Sequence, residues 1–162
     1  MTPGVEKPPR RKSGGWVRAS ELERGESGRP LCRWCRVEIP PRRRTFCSDA
    51  CVHEWKLRTD PGYLRERVLA RDRGVCAKCG VDTIALRRDM RRLDYAARRK
   101  FLRDWGLSER SRKSLWDADH IVPVVEGGGQ CDLANMRTLC LKCHREATAA
   151  LRARRGLKPA AS

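Results

Sequence analysis

The chain has 162 residues, with charged residues at 35% of the total and a formal net charge of +17. That length accommodates one modest domain with a small appendage and a small apolar core. The charge excess points to a polyanionic partner, with nucleic acid the first candidate. No apolar run reaches the roughly 20 residues needed to span a bilayer, and no secretory h-region follows Met1, so a soluble, intracellular protein is expected.

Residues 1–29 are rich in Pro, Gly, Ser and charge, and are expected to form a disordered basic tail. Its run PPRRK reads first as a solvated tail and second as a localisation signal or a phosphate-binding arm. From 30 to 58, Cys32-x-x-Cys35 and Cys47-x-x-x-Cys51 bracket RVEIPPRRRTF. Its prolines and arginines suit a finger loop rather than a buried strand. Two close thiolate pairs complete the tetrahedral shell that zinc prefers, which predicts a structural Zn²⁺ in a small knuckle. His53 is the alternative fourth ligand to Cys51.

The segment 59–156 forms the second expected unit, followed by a short tail over 157–162. It opens on TDPGYLRERVLARDRG, where Asp60 suits an N-cap, Pro61 the first helical position and Gly74 the stop, with Leu64, Val68 and Leu69 on one face. A second quartet, Cys76-x-x-Cys79 and Cys140-x-x-Cys143, predicts a second structural Zn²⁺. Between its halves, Leu93, Ala97, Phe101 and Trp105 recur every fourth residue and predict an amphipathic helix. Arg91, Arg98 and Arg99 are candidate phosphate contacts, as is Arg145 further on. WDADHIVPVV has strand character, EGGG reads as a turn, and LCLKCHREATAALRARR as a cysteine turn entering a helix. Neighbours on an extended segment, Asp119 and His120 point to opposite sides. His144 follows Cys143 and is clamped by the same metal. The ninth cysteine, Cys131, has no partner at ligand spacing and reads as a packed apolar residue.

Asp119-His120, then Asn135, then His144, enclosed by the second cysteine quartet, resemble the HNH nucleases of the ββα-metal fold. YLRERV, GVCAKC, DHIVPVVEGGGQC and LCLKCHRE, with FCSDAC upstream, are similar to the vertebrate branch whose nuclease domain is joined to a zinc-finger annealing helicase of replication-fork repair. The resemblance implies an α+β, zinc-stapled fold and a metal-dependent DNA endonuclease. It also implies roles for four residues. His120 would be the general base, Asn135 would hold the His120 loop or imidazole, and Asp119 and His144 would hold one catalytic divalent ion. Mg²⁺ or Mn²⁺ is expected there, with Ni²⁺ or Zn²⁺ as alternatives for a site that includes a histidine.

With one centre per chain, a monomer would nick one strand and a homodimer would cut both. The expected location is the nucleoid-containing cytoplasm in a bacterium and the nucleus in a eukaryote. The competing class is a non-catalytic zinc module that binds nucleic acid, for which charge and cysteine quartets are sufficient explanation.

Overall fold

The computed structural model describes residues 17–108, 114–129 and 132–156. The chain divides after Leu64 into two compact units. No helix among the described residues is long and apolar enough to cross a membrane.

In the first unit, residues 1–16 of the expected tail lie outside the described region, while 19–21 form a 3-10 turn and Arg24 bridges Pro30. The Cys32 knuckle leads through the Pro40–Arg44 loop to helix α1, Asp49–Thr59, whose N-cap Ser48 accepts the Cys51 N–H at 3.1 Å. Its core is small: Cys32, Ile39 and Cys51 are buried, with Leu22, Trp34, Phe46 and Cys47 packed against them. Helix α2, Pro61–Asp72, begins where the sequence places it. Asp60 Oδ1 accepts from the amides of Gly62 and Tyr63 at 2.9 and 3.0 Å, supplying the N-cap that the missing amide of Pro61 leaves room for. Leu64 and Val68 are buried, and Gly74 adopts φ +76° just past the helix.

The second unit begins within α2, at Arg65, and contains α3 (Thr83–Met90), α4 (Tyr95–Asp104), β1 (Trp116–His120), β2 (Met136–Cys140) and α5 (Leu141–Arg154). Its two strands form one antiparallel pair with Trp116 opposite Cys140 and His120 opposite Met136. The expected α+β architecture is therefore present, and β1, β2 and α5 are its centre. The core joins Cys76, Cys140 and Cys143 to Trp105, Leu115, Leu139 and Leu141, with Phe101 and Ala147 at its margin.

Three local expectations change. Strand character ends at His120, because Ile121 and Val122 form a bend and Val124–Glu126 a 3-10 turn behind Pro123. Ile121, Val122, Val124 and Val125 are accordingly 45–56% exposed. The helix expected from Leu93 starts two residues later, since Asp94 accepts the Ala97 amide at 2.9 Å and caps α4, leaving Leu93 outside it. Helix α3, capped by Asp82, and strand β2 are additions. Cys131 lies outside the described residues, as do 157–162.

A lone two-stranded ribbon is marginal in water, and side chains from the end of α2 brace this one. Arg71 donates to Leu133 O at 2.7 Å and Met136 O at 2.6 Å, while Asp72 accepts the Thr138 amide at 2.9 Å and Arg71 Nε at 2.6 Å. Burial pushes the Asp72 carboxyl up, but the Arg71 guanidinium and the Thr138 amide outweigh it and hold it below the usual carboxylate range. Asp72→Ala should lower the unfolding free energy by about 2 kcal/mol in urea titrations at neutral pH. Because the folded-state value is depressed, this contribution is present above the ordinary carboxylate range and is lost as pH falls through the folded value, so variant and wild type should converge on acidification.

Candidate active site and thiolate centres

Each cysteine quartet gathers into one cluster, with the ligand atoms of Cys32, Cys35, Cys47 and Cys51, and those of Cys76, Cys79, Cys140 and Cys143, all within 4.8 Å of one another. Sulfur separations of 3.4 Å (Cys35 to Cys47, and Cys47 to Cys51) and 3.8 Å (Cys79 to Cys140) are near the edge of a tetrahedron with bonds of about 2.3 Å to zinc. All eight are free thiols. Both clusters could therefore hold zinc. The alternative ligand His53 is instead 2.7 Å from Tyr63 Oη through Nδ1.

The quartets share one construction. Arg36 N–H donates to Cys32 O and Cys32 N–H to Val37 O, as Gly80 N–H donates to Cys76 O and Cys76 N–H to Val81 O. The turn needs a left-handed residue after the second cysteine, Arg36 at φ +64° in one case and Gly80 at φ +73° in the other. The other two cysteines of each quartet come from the start of a helix, α1 or α5. Cys140 is itself the N-cap of α5, its sulfur accepting the Cys143 amide at 3.4 Å. Burial raises the Cys76 thiol, but backbone donors from Cys140, Cys79 and Lys78 outweigh it and bring it down to about 6. Burial and neighbouring sulfurs push Cys143 far up. One thiolate is thus readily available in the quartet, while gathering all four negative charges calls for a bound dication.

The clamp on Cys143 delivers His144 to the strand pair. His144 Nδ1 lies 3.4 Å from Asp117 Oδ2, and Nε2 lies 3.7 Å from Asp119 Oδ1. Asp117 and Asp119 share a face of β1 by its two-residue period. Their side chains are 12% and 18% exposed and that of His144 is 34% exposed. Asp119 Oδ2 accepts both Nε and Nη2 of Arg137, its cross-strand partner, at 3.0 and 2.9 Å. Asp117 Oδ1 accepts Arg65 Nη1 at 2.8 Å, and that guanidinium lies 3.9 Å over the Trp116 ring. Asp117, Arg65 and Arg137 did not figure in the sequence reading of the site. The WDADH alternation carries the signal for Asp117, but strand pairing identifies Arg137 and the contact from α2 identifies Arg65.

His120 projects from the opposite face, and its buried Nε2 has no hydrogen-bond partner among the described residues. Asn135 works on the loop that follows. Its Oδ1 accepts the Val122 amide at 2.8 Å, and its Nδ2 donates to Val122 O at 2.9 Å and to Gly128 O at 2.6 Å. A Cβ on Gly128 would sit 1.7 Å from Val122 O, so the closed loop requires glycine. Of the candidate phosphate contacts, Arg91 caps α3 and is exposed, as are Arg98 and Arg99 on α4. Arg145 instead donates to the carbonyls of Trp105 and Leu141, tying α5 to the end of α4.

The chain belongs to the HNH endonuclease family, whose family model matches residues 107–150. Among full-length relatives, it is 38% identical to the mouse DNA annealing helicase and endonuclease ZRANB3 and 32% identical to the human protein of that description. Each comparison covers 85% of this chain and 14% of the relative, so the chain spans about one seventh of those proteins. The crystal structure of the human ZRANB3 HNH domain is 32% identical, with 60% of this chain and 97% of that domain covered at a TM-score of 0.45.

Elemental analysis of reduced, dialysed protein should find two zinc ions per chain, falling to one in Cys79→Ser. Acidification should release zinc from the second quartet, because protons compete with the ion for its thiolates. Zinc content that does not change down to pH 4 would contradict thiolate ligation.

Proposed function

We propose that the chain is a metal-dependent DNA endonuclease that hydrolyses phosphodiester bonds, with its chemistry in the second unit. The observation that carries this reading is the division of labour across β1: Asp119 and His144 converge on one face, while His120 offers an unpartnered imidazole nitrogen on the other. A buried polar atom without a protein partner is uncommon and suits a group whose partner is a reactant. HNH membership and the word endonuclease in the relatives' names support the same class.

Asp119 Oδ1 and His144 Nε2 present one hard oxygen and one imidazole nitrogen 3.7 Å apart, a donor set that fits Mg²⁺ or Mn²⁺ and also admits Ni²⁺ or Zn²⁺. A divalent ion held there would neutralise charge on the phosphoryl group and on the departing 3′-oxygen. His120 takes a proton from water as the water oxygen attacks phosphorus. The bond from phosphorus to O3′ breaks, leaving a 5′-phosphate and a 3′-oxygen that is protonated from solvent. Asn135 holds the backbone of the 122–128 loop and thereby the chain leaving His120. Asp117 faces His144 Nδ1, an arrangement that favours the tautomer with a free lone pair on Nε2. Arg91, Arg98 and Arg99 are assigned to backbone phosphates, and Arg145 primarily to the fold.

A plasmid-nicking assay with and without divalent metal tests the reading. His120→Ala should slow cleavage by about 10²- to 10⁴-fold with zinc content and DNA affinity preserved. Asp119→Ala and His144→Ala should also be inactive, but excess Mn²⁺ should partly restore them and leave His120→Ala unrestored. Wild-type nicking by His120→Ala in Mg²⁺ would reverse the conclusion in favour of a non-catalytic zinc module that binds nucleic acid.

A further inference from the structure

We propose that Arg137 makes loading of the divalent ion depend on bound nucleic acid, an inference that rests on the assignment of Asp119 and His144 as the ion's ligands. Cross-strand pairing sets Arg137 opposite Asp119, and both of its donating nitrogens meet the same oxygen, Oδ2, leaving Oδ1 toward His144. The carboxylate that would bind the ion is thus the one that neutralises Arg137. Neighbouring charges are balanced separately: Arg65 pairs with Asp117 at 2.8 Å and Lys78 with Glu146 at 2.6 Å. Counting carboxylates and guanidiniums alone, Asp117 and Asp119 against Arg65 and Arg137 sum to zero before a dication arrives.

Such a site holds a dication weakly, because affinity for hard cations rises with the net negative charge of the ligand set. A guanidinium stays charged at any working pH, so deprotonation gives no relief. A phosphodiester changes the balance by supplying negative oxygens to the ion and a second acceptor to Arg137, whose side chain is 33% exposed. DNA and metal then favour each other's binding, and linkage requires that each tighten the other by the same factor. An ion retained only on substrate limits adventitious loading of the centre between encounters.

The contrasting role for Arg137 is simple orientation of Asp119, and the two roles predict opposite signs. Mn²⁺ affinity of the full, zinc-loaded chain can be measured by electron paramagnetic resonance with and without a short duplex, in a His120→Ala background to prevent turnover. Arg137→Gln should bind Mn²⁺ about tenfold tighter than its parent without DNA, and should lose most of the parent's DNA-dependent gain, within the usual 5- to 150-fold range of coupling. Arg137→Lys, which retains the charge and loses the two-pronged pairing, should still bind weakly without DNA and gain on its addition. Zinc content and circular dichroism establish that each variant is folded. Weaker or unchanged Mn²⁺ binding in Arg137→Gln, with Asp119→Asn losing the ion, overturns the coupling while leaving the ligand pair intact. Parent-like binding by Asp119→Asn overturns the ligand assignment and this inference with it.

Discussion

The second unit depends on the meeting of Cys76 and Cys79 with Cys140 and Cys143. Sixty residues lie between Cys79 and Cys140, and the small apolar core around Trp105, Leu115 and Leu139 includes three of these cysteines among its own members. Cys140 ends β2, caps α5 and contributes a ligand sulfur at once, so strand, helix and candidate metal centre share one anchor. His144 directly follows Cys143, the last cysteine of the same quartet. Its position against Asp117 and Asp119 therefore follows from sulfur clustering rather than from packing of its own side chain.

Around this anchor, charged side chains take over functions that a larger core would perform. Arg71 and Asp72 brace β2 and its approach from the end of α2, Arg65 reaches Ser114 and the Trp116 carbonyl, and Arg145 ties α5 to the end of α4. Arginine suits this work because its planar fork serves several carbonyls while its face covers an aromatic ring. The high positive charge is consequently divided: part of it is structural, and part stands exposed on α3 and α4. Composition alone cannot make that separation.

The first unit repeats the construction with less material. A knuckle turn supplies two thiols and a helix start supplies two more, but among the described residues no strand pair intervenes and no Asp, His and Asn set accompanies it. Arg36 occupies the left-handed turn position that Gly80 fills in the second unit, where its guanidinium meets Glu23. A side chain at positive φ is disfavoured, and the neighbouring carboxylate offsets part of that strain. The two quartets are thus alike in sulfur geometry, while among the described residues the second is the one that adjoins Asp117, Asp119 and His144.

By itself the sequence determined the two quartets and the start and end of α2. These were legible because ligand spacing, caps and left-handed stops are local, set within a few residues by geometry that the side chains themselves dictate. It misplaced the end of β1, since β-branched composition in IVPVV outweighed the break at Pro123, and it passed over β2, whose five residues run directly into a helix. Only the tertiary structure decided which carboxylate oxygen meets Arg137, that Asp117 faces the other nitrogen of His144, and that Asn135 closes the 122–128 loop. Those contacts join residues 7 to 27 positions apart or depend on strand register, and register is a property of the paired segments that no single segment carries.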